Sequence, residues 1–208
     1  MDETGKSAIR RVQQDTRYAT TFIKGDGIDI GAGADPINKY SEQFPLISSL
    51  RAWDLPDGDA QHMASVADDT FDFVHSSHCL EHLHNPYEAF GNWIRICKPG
   101  GYIITTIPDE DLYEQGGWPS TYNQDHKVSW TIMKKESWSP VSINVFDLLS
   151  HFCDKIEVLK IDLINAAYVY DTHRFDQTHY GNSECAIEFI VRKRPANELV
   201  RKGRLPNF

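Results

Sequence analysis

The sequence predicts a single-domain α/β fold built on a doubly wound parallel sheet, and three observations predict it. Apolar, strand-like runs near 27–30, 50–54, 71–75 and 101–107 are separated by segments of helical character such as 79–96, an alternation that implies a parallel sheet covered on both faces. The first run, Gly27-Ile28-Asp29-Ile30, leads straight into Gly31-Ala32-Gly33. Without a Cβ at these glycines the backbone turns tightly and approaches a ligand closely. The length of 208 residues allows one sizeable core and makes a second domain improbable.

Taken in order, residues 5–20 carry Arg10, Arg11, Gln13, Gln14 and Arg17 with sparse apolar positions Ile9, Val12 and Tyr18, which predicts an N-terminal surface helix (1–20) on the domain's edge. After the 101–107 strand, residues 109–140 form an acidic and aromatic insertion. Ile143–Phe152 reads as a helix, and Ile156–Leu163 and Cys185–Val191 as apolar strands that complete the sheet. The basic residues Arg192-Lys193-Arg194 and Arg201-Lys202-Gly203-Arg204 open and fill a tail (194–208) expected to be solvated.

A formal charge of −9 and a pI near 5.4 give no general attraction for phosphate backbones or anionic membranes and argue against a long nucleic acid as partner. Cys79, Cys97, Cys153 and Cys185 form no CxxC pair, as expected of reduced, mostly buried thiols in a cytoplasmic protein. No apolar run approaches the roughly 20 residues of a membrane-spanning helix, and the start Met1-Asp2-Glu3 lacks a secretory apolar region.

The succession Gly27–Gly33, Trp53-Asp54, Gly58-Asp59-Ala60, Thr70–Ser77 and Lys98–Ile104 resembles the class I S-adenosylmethionine-dependent methyltransferases of the type 11 kind, from about residue 25 to 110, and the later strands fit to about 193. The resemblance implies a Rossmann-like seven-stranded sheet whose last strand is antiparallel, with 164–184 as its lead-in. It implies S-adenosylmethionine as cofactor. By position, Asp29, Gly31, Ala32 and Gly33 cradle the methionine moiety, Asp54 holds the ribose hydroxyls, Asp59 and Ala60 flank adenine, and Ser76 closes the fourth strand beside them. One departure stands out: Asp54 and Asp59 lie five positions apart where the family commonly places a helix and a strand. Asp54, Asp57 and Asp59 therefore compete for the ribose, and Asp54 is preferred because it follows the run Leu50–Trp53 directly.

Four of the nine histidines, His75, His78, His82 and His84, fall within ten residues where a strand ends and a helix is expected to begin. On a helix His78, Glu81 and His82 share one face, and imidazole with carboxylate suits a divalent metal. His78-Cys79-Leu80-Glu81-His82 is similar to the ExxEH metal motif of small-RNA 3′-terminal ribose 2′-O-methyltransferases and of ubiquinone-pathway O-methyltransferases, with His78 in place of their first Glu. That resemblance implies a further histidine ligand in an Asp-His-Lys context, matched by Asp125-His126-Lys127. The metal site so implied is His78, Glu81, His82 and His126, with Asp125 orienting an imidazole. The extra nitrogen ligand favours manganese, iron, cobalt or zinc over magnesium. Two readings stand beside it. His82 alone packs near the acceptor while the other histidines are bystanders, or HxxEH is the zinc motif of an inverzincin-type peptidase, which leaves the glycine turns at 27–33 and 98–101 unexplained. His75 and His84 are read as structural.

Methyl transfer from a sulfonium needs an aligned acceptor that has lost its proton. A metal acidifies a bound hydroxyl and chelates a vicinal diol; without one, His82 or His126, beside Glu81, serves as general base. Both routes predict an O-methyltransferase. Asp109, Glu110, Asp111, Tyr113, Trp118, Tyr122, Trp130 and Trp138 of the insertion suit a saccharide or nucleotide-sugar, or else pack as a lid with its own small core. The alternatives are an RNA 3′-terminal ribose as acceptor, which the insertion's acidity opposes, and a non-catalytic module that binds S-adenosylmethionine without turnover.

Overall fold

The computed structural model describes residues 3–204. Helix α1 (Glu3–Gln14) precedes strands β1 (Gly25–Ile30), β2 (Ile47–Trp53) and β3 (Phe71–Ser77). Helix α2 (Pro86–Ile96) runs into β4 (Cys97–Pro108). Short strands β5 (Ser129–Thr131) and β6 (Ser142–Asn144) pair within the insertion, and α3 (Val145–His151), β7 (Ile156–Ile164), β8 (Ala186–Lys193) and α4 (Ala196–Arg201) follow. The main sheet has the order β2-β1-β3-β4-β8-β7. β1 to β4 are parallel, and β8 is antiparallel to both β4 and β7. This is the expected Rossmann-like α/β architecture with an inserted antiparallel strand.

The sheet has six strands rather than seven. Leu55–Thr70, where the missing crossover would lie, contains Pro56, Gly58 and four aspartates with no alternating apolar pattern, and it forms a 3₁₀ turn at Leu55–Asp57 followed by irregular turns. One face of the sheet packs Ile28, Val74, Ile103 and Phe189 against Phe90 and Trp93 of α2 and Leu148 of α3. The other face packs Phe73, Ile104 and Ile190 against Ala8, Tyr18, Phe22 and Phe44. Helix α2 begins later than the apolar pattern suggests, because Pro86 occupies its first turn and the Asn85 side chain accepts the Glu88 N–H at 3.2 Å. No helix among the described residues is long and apolar enough to cross a membrane.

The N-terminal helix differs most from expectation, for its buried face includes Lys6, Arg10 and Arg11. The reason is Glu188, fully buried in the middle of β8. Arg11 Nε donates to Glu188 Oε2 at 2.7 Å, Arg10 Nη1 to Glu188 Oε1 at 3.1 Å, and Tyr18 donates its hydroxyl to the same carboxylate. Arg10 also forks onto Glu184 at 2.7 and 3.0 Å. Burial opposes ionisation of Glu188, yet the two guanidiniums hold its carboxyl far below the usual range. Arg11 reaches on to His75 Nε2 at 2.9 Å and Thr106 Oγ1 at 3.0 Å, and His75 Nδ1 meets Asp29 at 2.6 Å. A neutral ring with its proton on Nδ1 satisfies both neighbours. At the end of β8 and in the tail the basic residues are partly paired: Arg192 with Glu157 at 2.9 Å and with Glu198, Lys193 with Asp69 at 2.6 Å, and Arg204 with Glu157 at 2.5 Å. Residues 205–208 of that tail lie outside the described residues.

Arg11→Met is expected to cost about 3–5 kcal/mol, since it leaves a buried carboxylate short of its counter-charge. Adding Glu188→Gln to that variant is expected to restore part of the loss, as read from urea midpoints.

Candidate active site

Gly31 and Gly33 have φ of 74° and 50°, values that favour glycine. A Cβ on Gly31 would meet Cys79 Cβ at 2.5 Å, whereas one on Gly33 would find nothing nearer than Asp54 Oδ2 at 3.9 Å. Gly31 is thus set by packing of the turn on the β3 exit, and Gly33 leaves open space. Gly31 N and Ala32 N donate to Trp53 O at 2.9 and 3.1 Å, and Gly33 N donates to Asp54 Oδ2 at 2.8 Å. Asp54 also accepts the Leu55 N–H at 2.7 Å, so it ties the end of β2 to the glycine turn.

A cavity of about 500 Å³ opens over these residues. Gly31, Asp54, Asp59 and Ala60 border it on one side, and His78 and His82 on the other. Asp29 and Ser76 lie beneath the turn. Asp29 accepts from Ile37 N at 2.7 Å and contacts His75, and Ser76 Oγ donates to Ile30 O at 3.0 Å. These two brace the turn from below.

The imidazole-carboxylate cluster forms around Glu81, which is fully buried and whose two carboxylate oxygens have no hydrogen-bond partner. Around Glu81 Oε1 stand His78 Nδ1 at 3.5 Å, His82 Nε2 at 3.9 Å and His126 Nε2 at 4.0 Å. One ligand atom each from Glu81, His82 and His126 lie within 4.8 Å of one another. The outer nitrogens of both rings are occupied: His82 Nδ1 faces Asp125 Oδ2 at 2.9 Å, and His126 Nδ1 faces Glu114 Oε1 at 2.6 Å. Protons on the two Nδ1 atoms leave both Nε2 lone pairs turned toward Glu81, the arrangement of carboxylate-braced metal ligands. Burial works against charge on His78 and Glu81, but their contact prevails, raising the imidazole and lowering the carboxyl.

These residues do not converge on an α-helical face. Leu80–His82 is a 3₁₀ turn, and His78 has a φ of 53°, a left-handed conformation rare for a residue with a Cβ. The turn brings the side chains together in place of the predicted helix. His75 belongs to the buried network of α1, and His84 is exposed. Glu114 escaped the sequence reading because nothing in its spacing from His126 marks the pair.

Within the insertion Trp130 is fully buried in the domain's main core, so it is neither a platform nor part of a separate lid core. Glu110 and Asp111 pair with Lys134 at 2.7 Å, and Trp138 Nε1 donates to Asp111 at 2.9 Å. The ring that reaches the cluster is Tyr113, 5.3 Å from His126, with Tyr122 5.8 Å beyond it.

A family model described as a methyltransferase domain matches residues 11–160. The chain belongs to this methyltransferase-domain family. No curated protein matches the chain in sequence. Among solved structures, the S-adenosylmethionine-dependent methyltransferase of Clostridium acetobutylicum superposes with a TM-score of 0.58 at 11% identity, covering 94% of this chain and 93% of that one. The corresponding enzyme of Archaeoglobus fulgidus gives 0.53 at 17% identity, over 92% and 94% of the two chains. The N-methyltransferase NodS of Bradyrhizobium japonicum gives 0.57 at 10% identity, over 94% and 100%. The protein is a methyltransferase enzyme, and its fold is the one that these S-adenosylmethionine-dependent methyltransferases share.

In this methyltransferase Asp109 caps the π-helical turn Glu110–Glu114. Burial pushes its carboxyl up to about 6 against hydrogen bonds from Leu112 N and Asp111 N, and the Asp111 charge adds to the rise. Since the folded state holds this proton more tightly than the unfolded chain does, stability declines as pH rises from about 4 through 6. Asp109→Asn, which keeps the accepting oxygen, is expected to match wild type below pH 4 and to exceed it by roughly 2–3 kcal/mol at pH 7.5, measured by denaturant titration at both values.

Proposed function

We propose that the protein is a metal-assisted, S-adenosylmethionine-dependent O-methyltransferase acting on a hydroxyl of a small polyhydroxylated acceptor such as a sugar or nucleotide-sugar. The observation that carries this reading is the buried Glu81 carboxylate without hydrogen-bond partners, ringed by three imidazoles. An ionised carboxylate left this way costs several kcal/mol, and a divalent ion shared with His82 and His126 satisfies it.

Glu81, His82 and His126 would hold the ion, with His78 beside them as the fourth donor. Nitrogen outweighs oxygen in that set, which suits zinc, iron, cobalt or manganese better than magnesium. When bound there, a divalent ion acidifies a coordinated hydroxyl, in the direction in which zinc takes water from a pKa of 15.7 to about 7. The chain's own residues do the rest. Asp125 and Glu114 fix the tautomers and ring directions of His82 and His126. His78 and His82 border the cavity of the glycine turn, so a hydroxyl held at the cluster would face the space in which the cofactor would bind. Proximity and alignment supply much of the rate of an in-line displacement. In the absence of an ion, His82 Nε2, held by Asp125, is the group placed to receive the acceptor's proton.

The acceptor side rests on fewer residues than the insertion's composition suggests. Glu110 and Asp111 are engaged by Lys134, so the stacking face for a sugar ring is Tyr113 with Tyr122, next to His126.

Protein purified without chelators is expected to contain about one equivalent of transition metal, and Glu81→Gln to contain none while binding S-adenosylmethionine normally, as measured by elemental analysis and calorimetry. A wild-type protein that holds no metal and gains no activity from added manganese or zinc leaves the histidine base as the mechanism. Glu114→Gln is expected to weaken metal binding by roughly 10–100-fold, with a smaller loss for Asp125→Asn because Asp125 is exposed. Turnover on vicinal-diol saccharides but not on short RNA supports the proposed acceptor class, and the reverse result favours the RNA 3′ end.

A further inference from the structure

A second cavity, of about 580 Å³, adjoins the first at Gly31. Gly31, Gly33, Asp35 and Ser77 border it from the sheet side, and Glu3 and Lys6 of α1 from above. Two polar atoms at this cavity are buried without a partner, Glu3 Oε2 and Ser77 Oγ. Glu3 is held in place by its other oxygen, which accepts from Lys6 Nζ at 2.9 Å. Lys6, with its side chain 3% exposed, also donates to Ser183 O at 3.2 Å and to Thr178 O. It thereby pins α1 to the turn at 178–183 and roofs the cavity. Gly5 N, donating to Asp35 Oδ2 at 3.3 Å, fastens the same helix to the glycine turn.

An ionised carboxylate oxygen and a hydroxyl oxygen, both lacking donors, are completed by a cation that carries several N–H groups. We infer that Glu3 and Ser77 receive the α-ammonium of the cofactor's amino-acid end, with the Lys6 charge in the same cavity facing its α-carboxylate. The inference rests on S-adenosylmethionine being the cofactor. Given that, the sulfonium lies where the two cavities meet at Gly31, with adenosine toward Asp54 and Asp59 and the amino acid toward α1. The N-terminal helix is then part of the cofactor site, and Glu3 and Ser77 distinguish an intact cofactor from one lacking its amino-acid end.

The test compares S-adenosylhomocysteine with 5′-methylthioadenosine, which keeps the adenosine and the thioether but lacks the amino acid. Glu3→Gln is expected to weaken S-adenosylhomocysteine by about 10–100-fold, the range of a lost charge-assisted hydrogen bond. Its affinity for 5′-methylthioadenosine should stay within about 2-fold of wild type, because the adenosine subsite is untouched. Ser77→Ala is expected to show a smaller loss with the same selectivity. Calorimetry that finds both ligands unchanged, or both weakened equally, overturns the assignment. A wild-type protein that binds neither ligand overturns the cofactor reading itself, and the assignment with it.

Discussion

Glu188 is the constraint around which this molecule is arranged. Its carboxylate sits in a central strand where no water reaches it, and an ionised group there is tolerated only with close counter-charges and filled lone pairs. Two guanidiniums and a phenol from the N-terminal segment meet that need. A helix that looks like a solvent-facing edge is thereby drawn flat against the sheet. The chain of contacts continues from Arg11 through His75 to Asp29 and the Ile37 N–H, so the glycine turn is braced by the same charges. Ion clusters of this kind add little net stability over apolar packing, but removing one partner is costly, which ties α1 to β8 in this one arrangement.

The candidate active site repeats the device, but without contacts that complete it. Glu81 is buried as deeply as Glu188, but its neighbours are imidazoles at 3.5 to 4.0 Å instead of guanidiniums in contact. One carboxylate is satisfied by the protein and the other is left open. The contrast between the two, one in strand β8 and one in the turn after β3, singles out Glu81 as the candidate functional charge, which burial alone does not.

Much of this was legible in the sequence. The strand succession, the glycine turn and the closeness of His78, Glu81 and His82 follow from periodicity, turn chemistry and spacing, because each is a local signal, whereas the inserted antiparallel strand and the place of His126 beside Glu81 are what the family resemblances imply. What escaped has physical reasons. The arginines of α1 look like a solvated face, since nothing local announces a glutamate more than 170 residues away as their partner. The Asn85-Pro86 step that delays α2 is visible, but the apolar pattern across 79–96 hides it, and with it the turn that gathers His78, Glu81 and His82. Trp130 and Trp138 have the same composition signal; only packing makes one a core residue and the other a surface donor to Asp111.

The pairing of α1 with β8 joins the first helix among the described residues to the last strand, across separations of 177 and 178 residues. As the polypeptide emerges from the ribosome, Arg10 and Arg11 have no carboxylate to meet until β8 has been made, and β4 and β7 wait for the same strand to slide between them. Such distant contacts slow folding. The β4–β8–β7 edge of the sheet and the charged cluster beneath the glycine turn therefore close together, late in synthesis, so that a chain lacking β8 keeps at most the four parallel strands and has neither of the two.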